Sequence, residues 1–204
     1  MAQYLKDEVQ QRISRAALET FARSGYPNAS VAAIARAAGI STGNVYRYYE
    51  NKEALFHAVL PAAFVTRLRT LLRRRSAALA GVEDYRTLPE DAEYSVLSRE
   101  TLDFAVENRL RLVILLVRAD GTPYEGAAAE IAAELMELAV SHFRELNPAL
   151  ELDRAMRFGL AEIYRNFVAT LGRILEHFQD GGQVRDALES VSRYHRVGLK
   201  SFFA

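Results

Sequence analysis

Apolar residues recur at helical spacing along the whole chain, and glycine, proline and asparagine divide this pattern into segments. Strand signals are sparse, since few β-branched residues alternate with polar ones. The Asp-Gly pair at 120–121 leads into Thr122 and Pro123 rather than into a strand. The chain is therefore expected to be all-α, with nine helices. They are predicted to span about residues 6–24, 31–38, 42–48, 52–79, 90–107, 109–118, 124–146, 152–178 and 184–203.

The composition excludes several classes of protein. The 204 residues include no cysteine, so a disulfide framework, a cysteine-ligated zinc site and a cysteine nucleophile are ruled out. The longest unbroken apolar run, 58–65, contains Pro61 and is far shorter than the ~20 residues that cross a bilayer. The polar, mixed-charge stretch 1–11 is unlike a secretory signal. We therefore predict a cytoplasmic protein with no membrane partner.

The formal net charge is zero, but the charges are unevenly distributed. Residues 1–80 carry 12 Lys and Arg against 5 Asp and Glu, whereas residues 81–204 carry 14 against 21. Such asymmetry indicates that the N-terminal part meets a polyanion. The arginines between 67 and 75 contribute to the excess, and they fit a solvated helix face as well as a phosphate contact. The acidic balance of the C-terminal part favours a neutral or cationic ligand there.

Two short predicted helices, joined at Gly39, match the helix-turn-helix arrangement. In the second of them, Val45 and Tyr49 lie one turn apart and can anchor the helix to a small apolar core. The expected members of that core are Ile13, Phe21, Val31 and Ile34.

The remaining side chains of this second helix are suited to the edges of DNA bases. Arg47 can pair with guanine, Asn44 with adenine, and the methyl group of Thr42 with that of thymine. Gly43 has no side chain, so the backbone can approach a groove closely.

Several hydroxyl and ammonium groups nearby are suited to phosphates. Tyr46, Tyr48 and Lys52 offer donors, and Ser30 adds a hydroxyl at the start of the preceding helix. Ser41 is expected to cap the second helix and to touch the DNA backbone as well. The competing interpretation is that the two tyrosines are packed aromatic residues and that Lys52 is a solvated residue of the first turn of its helix.

Residues 9–60 resemble the N-terminal domain of the TetR family of transcriptional regulators. The matching positions are Phe21, Gly25, Ser30, Val31, Ile34, Ala35, Ala38, Gly39, Ile40, Ser41, Gly43, Val45, Tyr46, Tyr48, Tyr49, Lys52, Glu53, Ala54, Leu55 and Phe56. So many spaced matches are more specific than a bare helix-turn-helix. Two departures are mild: Ala29 replaces a commoner hydroxyl residue, and Tyr49 replaces a commoner phenylalanine.

The resemblance implies an all-helical homodimer with a DNA-binding domain at residues 1–51 and a ligand-binding and dimerisation domain at residues 52–204. It implies a sequence-specific repressor that leaves a palindromic double-stranded DNA operator when a small-molecule inducer binds, and it implies no cofactor. The residues that would contact DNA are Ser30, Ser41, Thr42, Gly43, Asn44, Tyr46, Arg47, Tyr48 and Lys52.

Two further sites are expected in the C-terminal part. An inducer pocket is predicted among the fourth to eighth helices. Its candidate residues are Phe64, Leu68, Leu102, Asp103, Leu116, Met136, His142, Phe143, Glu162 and Asn166. The last two helices carry wide apolar stripes that predict a dimer interface, with the core of a single chain as the competing interpretation. The expected interface residues are Phe158, Phe167, Leu171, Leu188, Val191, His195, Gly198, Leu199 and Phe202.

Catalysis is not expected. A helical bundle can hold a di-iron site through paired Glu-x-x-His motifs, but no acidic residue stands three positions before any of the four histidines. Metalloprotease, serine-hydrolase and phosphate-loop motifs are absent too, so no metal site is predicted.

Two alternatives without catalysis stay open. A nucleoid-associated protein could use the same DNA-binding part without a small-molecule switch, and the response of DNA binding to a ligand would separate it from a repressor. A helical cofactor binder or interaction module is disfavoured by the charge segregation.

Overall fold

The computed structural model of the chain describes residues 2–203, which contain no strand, so the predicted all-α class is confirmed. The helices are α1 (Ala2–Asn28), α2 (Val31–Ala37), α3 (Thr42–Val45), α4 (Lys52–Val59), α5 (Ala62–Ala77), α6 (Glu93–Glu107), α7 (Arg109–Val117), α8 (Ala127–Leu146), α9 (Arg154–His177) and α10 (Gly181–Phe202). A 3₁₀ turn, Tyr85–Thr87, lies in the predicted loop between α5 and α6.

Over the described residues, the nine-helix prediction holds once α4 and α5 are counted as one kinked helix, Lys52–Ala77. The first helix also contains its predicted break. Gly25 adopts a φ of 74° and a ψ of 163°, a conformation that residues with a Cβ rarely adopt, and Pro27 follows it.

The kink between α4 and α5 is caused by Pro61. Proline has no N–H and disfavours helical conformation in the preceding residue, and Leu60 accordingly has a φ of −128° and a ψ of 73°. The carbonyls of Val59 and Leu60 therefore lose the N–H donors of an unbroken helix. Instead, Arg111 Nε donates to the Val59 carbonyl at 2.8 Å, and the Tyr124 hydroxyl donates to the Leu60 carbonyl at 3.2 Å.

An aromatic cluster around the buried side chain of Phe56 reinforces this junction. The ring centroid of Phe56 lies 5.4 Å from that of Phe21, 5.1 Å from that of Tyr26 and 6.2 Å from that of Tyr124. Such tilted and edge-on contacts are favourable beyond the apolar area that they bury. The cluster joins α1 and α4 to the segment between α7 and α8.

The larger part of the chain is a layered helical bundle. Helix α9 packs against α7, α8 and α10, while α5 packs against α6 and α8. One hydrophobic core runs from Ile13 to Leu199 and is continuous across the predicted domain boundary at 51/52, which stays a prediction.

The kinked helix Lys52–Ala77 is long enough to cross a membrane and contains an 18-residue window with a mean hydropathy of 1.3. Its second segment, however, buries Phe64, Leu68 and Leu71 inside the bundle. The apolar composition of this helix is thereby accounted for by the protein core.

Replacing Arg111 with Met should lower the free energy of unfolding by about 1–3 kcal/mol, because the buried Val59 carbonyl loses its donor. Urea unfolding measures this change. Tyr124→Phe, which removes only a hydroxyl, should cost about 0.5–1.5 kcal/mol. The control is Arg144→Met, because Arg144 is exposed on α8 and makes no hydrogen bond to residues 2–203. Unchanged stability in the Arg111 variant would contradict the role given to this bond.

Candidate functional site

The predicted recognition helix is a short, capped turn. The Ser41 side chain accepts a hydrogen bond from the Asn44 amide at 3.2 Å, which fixes the start of α3. The amides of Tyr48 and Tyr49 donate to the Val45 carbonyl at 2.9 and 3.1 Å, so the chain keeps turning beyond the last α-helical residue. The predicted helix 42–48 is thus one α-helical turn followed by hydrogen-bonded turns.

Two buried side chains hold this turn against the protein, as predicted. Val45 and Tyr49 are buried in one cluster with the four predicted core residues, Ile13, Phe21, Val31 and Ile34. The Tyr49 hydroxyl also lies 2.9 Å from Ser14 Oγ on α1. A phenylalanine at position 49 would lack this hydrogen bond, so the departure from the family pattern adds a contact.

An arginine of α1 fixes the turn between α2 and α3, and the sequence patterns did not indicate it. Arg12 donates to the Ala38 carbonyl from Nε at 3.1 Å and from Nη2 at 2.6 Å, and to the Gly39 carbonyl from Nη2 at 3.3 Å. The guanidinium thereby satisfies carbonyls at the end of α2. Nothing in the local sequence distinguishes this arginine from its exposed neighbours.

Most of the predicted DNA-contacting side chains lie on the solvent side of this turn. Ser30, Ser41, Gly43, Tyr46 and Arg47 are exposed. Thr42, Asn44 and Tyr48 are half-buried, and Tyr48 packs against the core. The Arg47 side chain makes no hydrogen bond or ion pair to any residue of 2–203.

Lys52 makes contacts within the protein that the sequence patterns did not indicate, and its predicted phosphate contact stays a prediction. Its Nζ donates to the carbonyls of Tyr26 and Ala29, at 2.9 and 3.1 Å, and lies 4.2 Å from the centroid of the Tyr26 ring. The side chain is half-buried. Lys52 therefore ties the start of α4 to the segment between α1 and α2, and two of its three protons are directed away from solvent.

The comparisons with known proteins match this N-terminal region. Residues 13–59 match the family model of bacterial regulatory proteins of the tetR family. The N-terminal domain of this chain is therefore of the tetR type. The HTH-type transcriptional regulator TtgW of Pseudomonas putida is 45% identical over 53 residues, which cover 26% of this chain. The aligned region spans only 40% of the length of TtgW.

Two solved structures resemble this chain over most of its length. FadR of Thermus thermophilus, a TetR-family repressor solved with lauroyl-CoA, is 22% identical, with a TM-score of 0.46 and coverage of 93% of this chain and 94% of that one. A protein of Mesorhizobium loti assigned to the TetR family is 18% identical, with a TM-score of 0.42 and coverage of 94% and 96%. Similarities at this level do not carry ligand identity from one chain to another.

The larger part of the chain contains a half-open cavity of about 340 Å³ lined by helices α5 to α10. Of the ten predicted pocket residues, Leu68, Leu102 and Leu116 line it. The structure adds a polar side that the patterns did not indicate, including Arg75 and Arg196.

The other predicted pocket residues lie outside this cavity. Phe64 is buried and stacks on Phe104, and Met136 is buried in the core. His142 and Phe143 line a second cavity of about 120 Å³.

The predicted polar ligand contacts are on the protein surface. Asp103 pairs with Arg185, and Glu162 pairs with Arg165, the residue one turn away on its own helix. Asn166 is exposed. None of these three side chains lines the larger cavity. Helical periodicity does not show which face of a helix borders a cavity, and a ligand contact at these residues stays a prediction.

The predicted dimer stripe is divided between the interior and the surface. Leu188 and Leu199 are buried in the single chain, and Phe167, Leu171 and Leu188 line the larger cavity. Val191 and Phe202 are half-buried. Among the predicted interface residues, only Phe158 and Gly198 are exposed.

His195 also belongs to the interior rather than to an exposed interface. Its ring stacks on Phe167, with centroids 3.8 Å apart and planes at 5°, and meets the edge of Tyr164 at 4.8 Å. Burial, followed by the positive charges of Arg196 and Arg75, lowers the pKa of His195 to about 4. The imidazole is therefore neutral near pH 7.

Replacing Lys52 with Met should lower the free energy of unfolding by about 1–3 kcal/mol, because the carbonyls of Tyr26 and Ala29 lose a charged donor. Lys6→Met removes the same charge from an exposed position on α1 and should leave stability within about 0.5 kcal/mol. Chemical denaturation compares the two variants. If stability is unchanged in the Lys52 variant while the salt dependence of DNA binding flattens, the phosphate role is the main one.

Proposed function

We propose that this TetR-family protein is a homodimeric, cytoplasmic transcriptional repressor that binds a palindromic DNA operator and is released from it by a small molecule. The observation that carries the proposal is the capped turn 41–49, which is anchored by Val45 and Tyr49 and presents an unpaired Arg47 to solvent. A rigid element with free donors on its outer side is what direct readout of bases requires.

The exposed side of this turn is compatible with a close approach to DNA. Gly43 is exposed, and a Cβ added there would meet nothing within 4 Å in this chain. A glycine at this position is therefore not required by packing within the protein. Around it, Ser30, Ser41, Tyr46 and Arg47 offer donors for phosphates or bases. The excess of basic residues over 1–80 favours the same partner.

The dimer is supported by apolar side chains that one copy leaves exposed. Among the described residues, six large apolar side chains are exposed, and four of them belong to the last two helices. These are Phe158 (66% exposed), Ile163 (39%), Tyr194 (81%) and Val197 (54%). The space around Gly198 is open, so a neighbouring helix could approach there. This surface differs from the predicted stripe but lies on the same two helices.

The proposed release follows from where the cavity lies. Helix α5 lines the cavity through Leu68 and Leu72, and it follows α4 directly across the Pro61 kink. A ligand that prefers one inclination of α5 would change the separation of the two DNA-binding parts. A ligand with equal affinity for both arrangements would shift nothing.

Selection from random double-stranded DNA tests the proposal most directly. A two-fold symmetric dimer should enrich a palindrome whose half-site centres lie about 34–36 Å apart, or a small multiple of that distance. The selection is run at near-physiological salt, since affinity for DNA depends strongly on salt. Failure to enrich any sequence with folded, dimeric protein would favour a nucleoid-associated role.

Replacing Arg47 with Ala should weaken operator binding by about 1–3 kcal/mol and relax the preference at one base pair, if Arg47 bonds a base edge. Fluorescence anisotropy on the selected site and on single-base variants measures both effects. Arg173→Ala is the matched control, because it removes the same charge from an exposed position on α9. Equal affinity and unchanged base preference in the Arg47 variant would remove Arg47 from the readout.

Replacing Val197 with Asp should convert the dimer to a monomer, because a carboxylate would be desolvated inside an apolar interface. Val96→Asp is a matched control: Val96 is also an exposed valine, at 44%, but it lies on α6. Light scattering after size-exclusion chromatography gives the mass of each variant. A dimeric Val197 variant would place the interface elsewhere.

A further inference from the structure

We infer that the larger cavity binds an amphipathic anion, with its apolar body between α5 and α10 and its acidic group held by Arg75 and Arg196. The inference rests on the proposed function, because it names the chemical class of the ligand for the same cavity. It concerns any oxyanion head group, whether carboxylate or phosphate.

The apolar body is indicated by the walls. Leucines contribute most of the apolar lining residues, together with Ile131, Phe167 and Val168. The volume, about 340 Å³, lies within the range of about 300–1,000 Å³ typical of small-molecule sites. Burying hydrocarbon against such walls is favourable in proportion to the area removed from water.

The acidic group is indicated first by Arg75. This side chain lines the cavity, and its guanidinium makes no hydrogen bond or ion pair to any residue of 2–203. Burial is the main influence on the group and lowers the pKa of Arg75, yet an arginine stays protonated near pH 7. An uncompensated buried charge is costly, and an anionic ligand would compensate it.

Arg196 supplies a second, independent observation. Its Nε is shielded from solvent and has no hydrogen-bond partner among the described residues, and its guanidinium lies 4.8 Å from the centroid of the Tyr85 ring. Ser98 Oγ, on α6, is likewise buried and unpartnered within residues 2–203, and Ser98 lines the same cavity. Buried polar atoms without a partner are uncommon in native proteins.

The two arginines stand where the larger and the smaller cavity meet, because both line each of them. Arg99 and Arg193 also line the larger cavity, whereas the exposed Glu189 is the one acidic residue in its lining. The lining is therefore cationic, although the C-terminal part of the chain is acidic overall. Planar guanidinium groups match the geometry of carboxylates and phosphates.

The test uses direct binding to the full-length protein in the absence of DNA. Four probes with the same hydrocarbon chain are compared by titration calorimetry: decanoate, decyl phosphate, decanol and decylamine. At least one anionic probe should bind tenfold or more tightly than decanol, and decylamine should bind more weakly than decanol. The ranking of decanoate against decyl phosphate distinguishes a carboxylate site from a phosphate site.

Variants of the two arginines then test whether these side chains bind the acidic head group. Arg75→Met and Arg196→Met should each weaken binding of the preferred anion about tenfold, equivalent to about 1.4 kcal/mol, and leave decanol unaffected. Arg75→Lys keeps the charge and should retain part of the affinity. The control is Arg74→Met, which changes the exposed neighbour of Arg75 on the same helix. Without ligand, Arg75→Met should not lower the melting temperature, since it removes an unpaired charge.

Three outcomes would overturn the inference. The first is that decanol binds as tightly as both anions, and the second is that no probe binds. The third is that Arg75→Met alters the oligomeric state, because the partner of Arg75 would then be a carboxylate of a second copy. DNA affinity of the ligand-free protein is measured in the same preparation. If DNA binding is intact and the anions fail, only the ligand class is wrong; if DNA binding fails as well, the proposed function is contradicted.

Discussion

The carbonyl groups that Pro61 deprives of helical donors connect the N-terminal helices to the rest of the molecule. In an unbroken helix they would be satisfied within the helix, and α4 would need no polar contact with α7. Because of the kink, Arg111 and Tyr124 supply the hydrogen bonds from outside. The Phe56 cluster packs at the same junction and excludes water from it. The position of the N-terminal helices is therefore set by α7 and the segment after it.

The proposed DNA-contacting turn depends on this framework, because a single helical turn is unstable in isolation. Its position is maintained by side chains of α1: Arg12 holds the turn that precedes it, and Ser14 lies within hydrogen-bond distance of Tyr49. The exposed side chains of Tyr46 and Arg47 are thereby not needed to hold the turn, whereas Ser41 also caps α3. The residues that keep this surface rigid are thus different from the residues that offer free side chains. The exposed residues can therefore vary without loss of the fold.

The sequence was informative about local structure and less so about what each helix face contacts. Helix-breaking residues such as Gly25 and Asn147 indicated where a helix kinks or ends, because such a residue acts on the backbone conformation at its own position. Periodicity identified α9 and α10 as strongly apolar, but it did not separate Leu199, which is buried, from Val197, which is exposed. The cationic cavity lining was equally hidden, since Arg75 lies in a run of arginines and only packing distinguishes it from Arg74. The bonds of Lys52 to the carbonyls of Tyr26 and Ala29 were not predicted, because these acceptors are distant from Lys52 in sequence.

The junction at Pro61 also has a consequence for how such sequences diverge. A residue with an N–H at position 61 would allow the helix to continue, and the carbonyls of Val59 and Leu60 would regain donors from α5. Arg111 and Tyr124, both half-buried, would then lose these acceptors, and Arg111 would keep only its bond to Asn108 Oδ1. Positions 61, 111 and 124 are thus under a joint constraint, although they lie far apart in the chain. Homologous chains should change all three together or keep all three.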